Sequence, residues 1–372
     1  MALLKTMTIV GTRPEIIRLS CLIPKLDSLT DHTFVHTGQN SSPTLNDVFF
    51  RDLNLRAPDH YLGVDTTSIG SVMGETLVKT EKILSDVRPD AVLILGDTNS
   101  AISAIMAERM QIPVYHMEAG NRSFDANVPE ELNRRMVDHV ASFNLPYNDF
   151  SLRNLLSEGI HPRRISKTGS PIREIYNTHK KKIEASTILQ QLGLEKQSYI
   201  LASIHRQENV DFPSRLSAIL KTLSEVQARY SMPVLVSTHP RTRRRLLESK
   251  QSLPRGVDFH EPFGYLDYNK LQKDSFVVIS DSGTISEEST ILGFRAVSIR
   301  ESIERPEALE TGATVLAGIE VESVLRAIEV TRNLDSAQIP EGYEISDFSN
   351  RVLRFVTSTA MLHGKWAALH RD

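Results

Sequence analysis

Three acidic residues stand where proton-transfer chemistry could use them. Asp97 follows the apolar run Ala91–Leu95, Glu118 follows Pro113–Met117, and Glu130 lies in Val128-Pro-Glu-Glu-Leu-Asn-Arg134. Carboxylates crowded into one crevice and partly withdrawn from water have raised pKa values, which suits them to giving and taking protons. Glu130 also has a purely structural reading. At i, i+4 steps with Arg134 and Asp138 it would build a solvated ion-pair ladder while Leu132, Met136, Val137 and Val140 face the core. His205 ends a later apolar run beside Arg206 and Glu208, where an imidazole could position a phosphate, move a proton or serve as a structural hydrogen-bond donor. His239 ends another such run, and His116, inside a run, reads as core.

A second group of residues suits an anion. Asp281-Ser-Gly-Thr-Ile-Ser-Glu-Glu-Ser289 follows an apolar run and opens a helix, so the N–H groups of Ser282, Gly283 and Thr284 would face a diphosphate at a positive helix terminus. Gly283 would let the ligand approach the backbone. Glu287 and Glu288, one turn on, could accept hydrogen bonds from ribose hydroxyls, although the stretch is also an ordinary N-cap with an acidic first turn. Arg13 lies on the loop after the first apolar run, with Arg18 in the following helix. A guanidinium at a helix start opposes the helix dipole unless an anion offsets it, and a diphosphate can be bound bidentately. Arg241, Arg243, Arg244 and Arg245 have no aromatic interleaving and read as a solvated helix face.

The elements that must position these groups follow from the alternation of short β-rich runs with amphipathic stretches, the βαβ pattern of a parallel sheet. Met7–Val10, Ala91–Leu95 and Pro113–Met117 predict strands in the first half; Tyr199–Ile204, Val234–Thr238 and Phe276–Ser280 predict them in the second. Polar residues lie just past the end of each strand, where open α/β sheets place ligands. Pro14 predicts the start of a helix reaching Leu26, Pro129 occupies the first position of another, and Ser346–Thr359 has apolar residues at helical spacing.

The chain has 372 residues, enough for two domains. The boundary falls near residues 170–178: an N-terminal Rossmann-like domain over 1–172, joined by a C-terminal helix at about 346–372, and a second Rossmann-like domain over 173–345. With 43 Lys+Arg against 46 Asp+Glu, no net positive field is present to hold nucleic acid. Cys21 is the only cysteine, which excludes an intrachain disulfide and points to a reducing, cytoplasmic setting. The opening residues are broken by Lys5 and read as a strand rather than a signal peptide, and no apolar run reaches membrane-spanning length. Neither a G-x-G-x-x-G turn after the first strand nor a P-loop is present, and the histidines and acids show no metal-binding motif. Two such halves predict a ligand in the cleft between them, and sugar nucleotides fit that description.

Taken in order, Gly11-Thr-Arg-Pro-Glu15, Gly96-Asp-Thr98, Glu118-Ala-Gly120, Pro129-Glu-Glu131 with Asn133-Arg134, Asp281-Ser-Gly283 with Glu287-Glu288, and Glu304-Arg-Pro-Glu307 resemble the non-hydrolysing UDP-N-acetylglucosamine 2-epimerase family. Its members share a glycosyltransferase-B-like fold. The sequence is more similar still to the branch making UDP-N-acetyl-L-fucosamine from the corresponding L-talosamine nucleotide, through Met7–Ser20, His36-Thr-Gly-Gln-Asn40, His116–Arg122, Val128–Glu131 and Ser280–Thr284. The resemblance implies that Asp97, Glu118, Glu130 and His205 take part in the elimination and proton chemistry. It implies that Arg13, Ser282, Gly283, Thr284 and Glu288 hold the UDP, with Tyr268 packing on uracil. It implies a cytoplasmic homodimer acting on a UDP-amino sugar, with no metal or other cofactor, in surface polysaccharide synthesis. Members acting on the glucosamine nucleotide usually carry lysine where Arg18 stands and glycine where Thr284 stands. Their activator-site Gln-His-Arg stretch reads Gly38-Gln39-Asn40-Ser41 here, which points away from activation by substrate and toward a different sugar.

Overall fold

The computed structural model describes residues 3–39, 49–125, 128–249, 253–335, 338–367 and 369; Asn40 and Ser41 of the activator-site comparison lie outside them. The chain divides into two compact units, Met1–Thr178 with Glu341–Asp372, and His179–Pro340. The change from one to the other falls inside the helix Ile172–Glu184.

The first unit is built on a parallel sheet of six strands: β1 (Lys5–Val10), β2 (Asp31–His36), β3 (His60–Tyr61), β4 (Ala91–Leu95), β5 (Val114–Met117) and β6 (Phe143–Leu145). They lie in the order β3-β2-β1-β4-β5-β6. The second unit repeats the design with β7 (Ile200–Ile204), β8 (Val234–Thr238), β9 (Val257–His260), β10 (Val277–Ser280), β11 (Ala296–Ser298) and β12 (Val315–Leu316), ordered β12-β11-β10-β7-β8-β9. In both, the reversal of strand order lies between the first and fourth strands of the unit, β1 and β4 or β7 and β10. That is the doubly wound arrangement in which ligands sit outside the carboxyl ends of the strands.

Central strands are covered on both faces and so carry unbroken apolar sequence: every residue of β4 is buried. Met7, Ile9, Val92, Ile94 and Val114 of the first sheet pack with Leu84, Ala104 and Val137 from its helices. Ile200, Val234, Val277 and Val297 do the same in the second with Ile219, Leu223 and Ile328. The helix expected to run to Leu26 is two helices, Arg13–Leu19 and Ile23–Leu29. Pro24 has no N–H to give, and its ring would clash with the carbonyl four residues back, so the first helix stops before it.

The helix Phe348–Thr359 belongs to the first unit. The Tyr115 and Thr359 hydroxyls hydrogen-bond at 2.7 Å, and Phe355 packs edge-on against Phe143. Among the described residues no helix is long and apolar enough to cross a membrane.

Candidate active site

In the first unit the loops after β1, β4 and β5 are tied into one surface. Glu15 is buried within the helix start, and its Oε2 accepts the N–H groups of Gly11 at 2.6 Å and Thr12 at 2.7 Å. Its Oε1 accepts the hydroxyls of Thr98 and Ser100, both at 2.7 Å, and so joins the β1 loop to the β4 loop. Burial pushes the Glu15 carboxyl above its ordinary value, and those four hydrogen bonds pull against it. A Cβ on Gly11 would come within 2.5 Å of Thr37 Oγ1, so only glycine permits this packing.

Glu118 has φ +66°, the left-handed region that a residue of its kind seldom adopts. Two donors hold its side chain there: Arg18 Nη1 reaches Oε2 at 2.8 Å and Asn121 Nδ2 reaches Oε1 at 3.2 Å. Arg18 is itself buried, donates to the Tyr147 hydroxyl at 3.3 Å and lies over the Tyr147 ring. A Cβ on Gly96 would lie 3.8 Å from Glu118 Oε2, so the carboxylate borders the Gly96-Asp97 loop.

Beneath this pair of loops lies a buried charge network. His116 Nε2 is 2.8 Å from the Gly96 carbonyl oxygen, and Nδ1 is 2.8 Å from Asp138 Oδ1. Asp138 Oδ2 accepts Arg122 Nη1 at 2.7 Å and the Gly120 N–H at 3.1 Å. Burial alone would lower His116, but the bond and charge of Asp138 outweigh it and hold the imidazole above its ordinary value. Burial would raise Asp138, and His116 with Arg122 hold it below the usual carboxylate range. The loop needs its glycine: Gly120 has φ +83°, and a Cβ there would lie 2.2 Å from the Ser151 carbonyl oxygen.

Asp97 is also paired. Arg134 donates to its Oδ2 through Nε at 3.0 Å and Nη2 at 2.5 Å, and Asn133 Nδ2 donates to the Asp97 carbonyl at 3.0 Å. The ion-pair-ladder reading of Glu130–Val140 is therefore overturned: Arg134 and Asp138 are buried, whereas Leu132 is 63% exposed. The buried face joins Arg134 and Asp138, which reach the charged loops after β4 and β5, to Val137, which packs in the core as expected. Pro129 is the N-cap rather than the first helical residue, and Glu130 takes that place, half-buried, with no ion pair among the described residues. Its neighbour Glu131 is the structural member: it accepts the Ser123 N–H at 2.9 Å and Arg134 Nη1 at 3.1 Å. Arg13 is half-buried under the Phe49 ring at 5.6 Å, and burial lowers its pKa.

In the second unit Asp281 is fully buried at the end of β10. Its carboxylate accepts the N–H of His205 at 3.0 Å and of Arg206 at 3.0 Å, accepts Asn209 Nδ2 at 3.1 Å, and lies 3.1 Å from His205 Nδ1. Burial would raise Asp281, but these donors and the His205 charge hold it below the ordinary value. Asp281 thus sets the His205 ring against the start of the Ser282-Gly283-Thr284 loop.

Two of the three expected loop amides are engaged internally. Ser282 N–H donates to Ser280 Oγ at 3.0 Å and Thr284 N–H to Ser282 Oγ at 3.3 Å, while Thr284 is the N-cap of Ile285–Leu292. Glu287 does not face a ligand: it is fully buried, with Arg305 Nη2 3.1 Å from its Oε2. Glu288 is half-buried and accepts Gln272 Nε2 at 2.6 Å. Tyr268 joins this pair through hydrogen bonds with Gln272 and Ser203, and burial together with the Glu288 charge raises its pKa. Arg206, Arg300 and Glu304 surround Gly283, whose Cβ would be 3.5 to 3.8 Å from their charged atoms.

The structure thus joins the loops bearing Asp97 and Glu118, groups His205 with Ser282–Thr284, and links Tyr268 to Glu288. Among the described residues no contact ties Arg13 or Glu130 to the other candidates. Sequence reasoning gave no site role to Glu15, Asp138, Asp281, Arg206 and Glu304, although it named them, and did not single out Arg300. Of these, only Glu15 had a local signature, the Thr12-x-x-Glu15 capping box.

Comparison with known proteins gives the family. The family model described as UDP-N-acetylglucosamine 2-epimerase matches residues 25–357. A solved UDP-N-acetylglucosamine 2-epimerase from Rickettsia bellii is 39% identical, with a TM-score of 0.90 over 98% of each chain. The Methanocaldococcus jannaschii UDP-GlcNAc 2-epimerase, solved in complex with UDP-GlcNAc and UDP, is 34% identical, with a TM-score of 0.90 over 95% of this chain and 100% of that one. The UDP-2,3-diacetamido-2,3-dideoxy-D-glucuronate 2-epimerase of Pseudomonas aeruginosa is 32% identical, covering 85% of this chain and 88% of its own.

Proposed function

The chain belongs to the UDP-N-acetylglucosamine 2-epimerase family and is a UDP-sugar 2-epimerase, and from that premise we propose that it inverts C2 of a UDP-activated 2-acetamido sugar by eliminating UDP and adding it back. The C2 proton beside an acetamido group is only weakly acidic, so loss of the proton is coupled to departure of UDP. A base takes the proton, the C1–O bond to the diphosphate breaks, and a C1=C2 double bond forms. UDP then adds back to C1 as C2 is protonated on the opposite face. Asp97, Glu118, Glu130 and His205 are the proposed proton-handling groups, and Arg13, Tyr268, Ser282, Gly283, Thr284 and Glu288 the proposed UDP ligands.

The observation that carries this reading is the Glu118 carboxylate. It is held in left-handed backbone at the end of β5 by Arg18 and Asn121, with its side chain 14% exposed beside the Asp97 loop. Strain of this kind persists only where the surroundings over-determine it, and it gathers at functional sites. Cations and backbone dipoles at the second unit's Gly283 loop would stabilise the departing diphosphate.

The proposed substrate is UDP-2-acetamido-2,6-dideoxy-L-talose, giving UDP-N-acetyl-L-fucosamine for surface polysaccharide synthesis. It rests on the Met7–Ser20 and His116–Arg122 likeness and on Arg18 at Glu118. The homodimeric form is proposed on the family resemblance alone, and the cytoplasmic setting on the single cysteine as well. A second reading, interconversion of UDP-N-acetylglucosamine and UDP-N-acetylmannosamine, is favoured by the names of the Rickettsia and Methanocaldococcus relatives. Incubating the enzyme with each nucleotide in heavy water tests both: deuterium should enter C2, and faster from the L-talosamine compound. Faster exchange from the glucosamine nucleotide favours the second reading, and acceptor-dependent sugar transfer without exchange refutes epimerisation.

A further inference from the structure

Two guanidinium groups converge beside Gly283, and a carboxylate already sits between them. Glu304 Oε1 accepts Arg300 Nη2 at 2.7 Å and Arg206 Nη2 at 3.3 Å, and its Oε2 accepts Arg300 Nη1. Glu304 and Arg300 are buried, whereas Arg206 is partly open. From the position a Gly283 Cβ would take, Arg206 Nη2 lies at 3.5 Å, Glu304 Oε2 at 3.7 Å and Arg300 Nη1 at 3.8 Å. The same two donors and the same open glycine are what a diphosphate oxygen would use.

We propose that Glu304 is a built-in counter-anion for the diphosphate cradle, a positioning residue that holds Arg206 and Arg300 pointed at Gly283 and deliberately weakens their grip on UDP. The inference rests on the reading that the Ser282–Thr284 loop takes UDP. Two guanidiniums without Glu304 would face the ligand with two positive charges; with it they present one. An elimination and re-addition cycle needs UDP held long enough to return to C1 and then released with the sugar. A cradle partly neutralised from within keeps the donor geometry while limiting the Coulomb attraction.

Glu304→Gln removes the charge and keeps a hydrogen-bond acceptor of the same size. Calorimetric titration should show UDP binding about tenfold tighter, which is about 1.4 kcal/mol, with release slowed in proportion. Uridine, which has no phosphate, should bind as it does to the wild type. A purely structural Glu304 would instead weaken both ligands, and UDP affinity that is unchanged or lower in a folded variant overturns the proposal. Should Glu304→Gln not fold, Arg206→Gln at the open side of the cradle is the second test. UDP should bind about tenfold more weakly with uridine unchanged, and no loss would overturn the proposal. Wild-type protein that fails to bind UDP refutes the underlying reading as well, whereas wild-type binding without the gain in Glu304→Gln refutes this inference alone.

Discussion

Replacing Asp138 with asparagine removes the charge on which the loops beside Glu118 rest. The carboxylate accepts Arg122 Nη1 at 2.7 Å and the Gly120 N–H at 3.1 Å and lies 2.8 Å from His116 Nδ1, all within the interior. Taking one member from a buried charge network costs about 3–5 kcal/mol because the cations left behind stay desolvated. Arg122 keeps its paired bonds to Glu158 at 2.7 and 2.6 Å, which places the cost at the lower end, about 3 kcal/mol. In a unit of this size that is roughly 6–12 °C in Tm. The effect has a pH signature. His116 is held above its ordinary value, so its contribution is fully present below about pH 6.5 and fades as pH rises through the folded-state value. Asp138 is held below its ordinary value, so its own contribution persists above about pH 4 and is lost only in acid. In Asp138→Asn burial makes His116 neutral, so the gap to wild type should narrow toward alkaline pH and widen as pH falls below about 6.5, being largest toward about pH 4, where Asp138 begins to protonate. Trp366, the only tryptophan, lies in this unit with the Arg163 guanidinium 4.3 Å from its ring, so its fluorescence follows the relevant unfolding. A loss under about 1 kcal/mol at pH 6, or a gap that does not change with pH, would refute the reasoning.

Further outcomes follow from the same geometry. Glu118→Gln should reduce C2 deuterium exchange by about 10²–10⁴-fold in protein that still folds, with Tm lowered because buried Arg18 loses its carboxylate, and retained exchange would remove Glu118 from the chemistry. Gly120→Ala should cost more than about 2 kcal/mol in denaturant unfolding, since its Cβ meets the Ser151 carbonyl at 2.2 Å in left-handed backbone; a neutral result would mean that the loop rearranges. Arg18→Lys keeps a cation for Glu118 but loses the planar contact with Tyr147. It should shift the ratio of exchange rates toward the glucosamine nucleotide, and an unchanged ratio would release Arg18 from any part in substrate choice.

How far each element could be read from the sequence depends on how local its cause is. β4 is legible to the residue because a strand buried on both faces must be an uninterrupted apolar run. The edge strand β3 is two exposed residues, and nothing in His60-Tyr61 announces it; its partner β2 supplies the hydrogen bonds. The split before Pro24 has a local cause, a residue that cannot continue the first helix. For Glu130–Val140, periodicity placed the ionic residues outward and Val137 inward; Val137 is in the core, but Arg134 and Asp138 are buried against the charged β4 and β5 loops and Leu132 is exposed.

By itself the sequence determined two Rossmann-like halves, three central strands in each, and the placement of Asp97, Glu118, His205 and Ser282–Thr284 at strand ends, because chain direction and strand length fix where each loop begins. Only the tertiary structure decided what those residues are bound to. His205 and Asp281 stand 76 positions apart and Glu15 and Ser100 stand 85 apart, yet they share hydrogen bonds. A charge finds its buried partner through strand order and loop packing, and no local pattern encodes either. That is why the sequence could name the acids, while the fold determined that Asp97 is paired with Arg134, Glu287 with Arg305, and Glu118 with Arg18 in strained backbone.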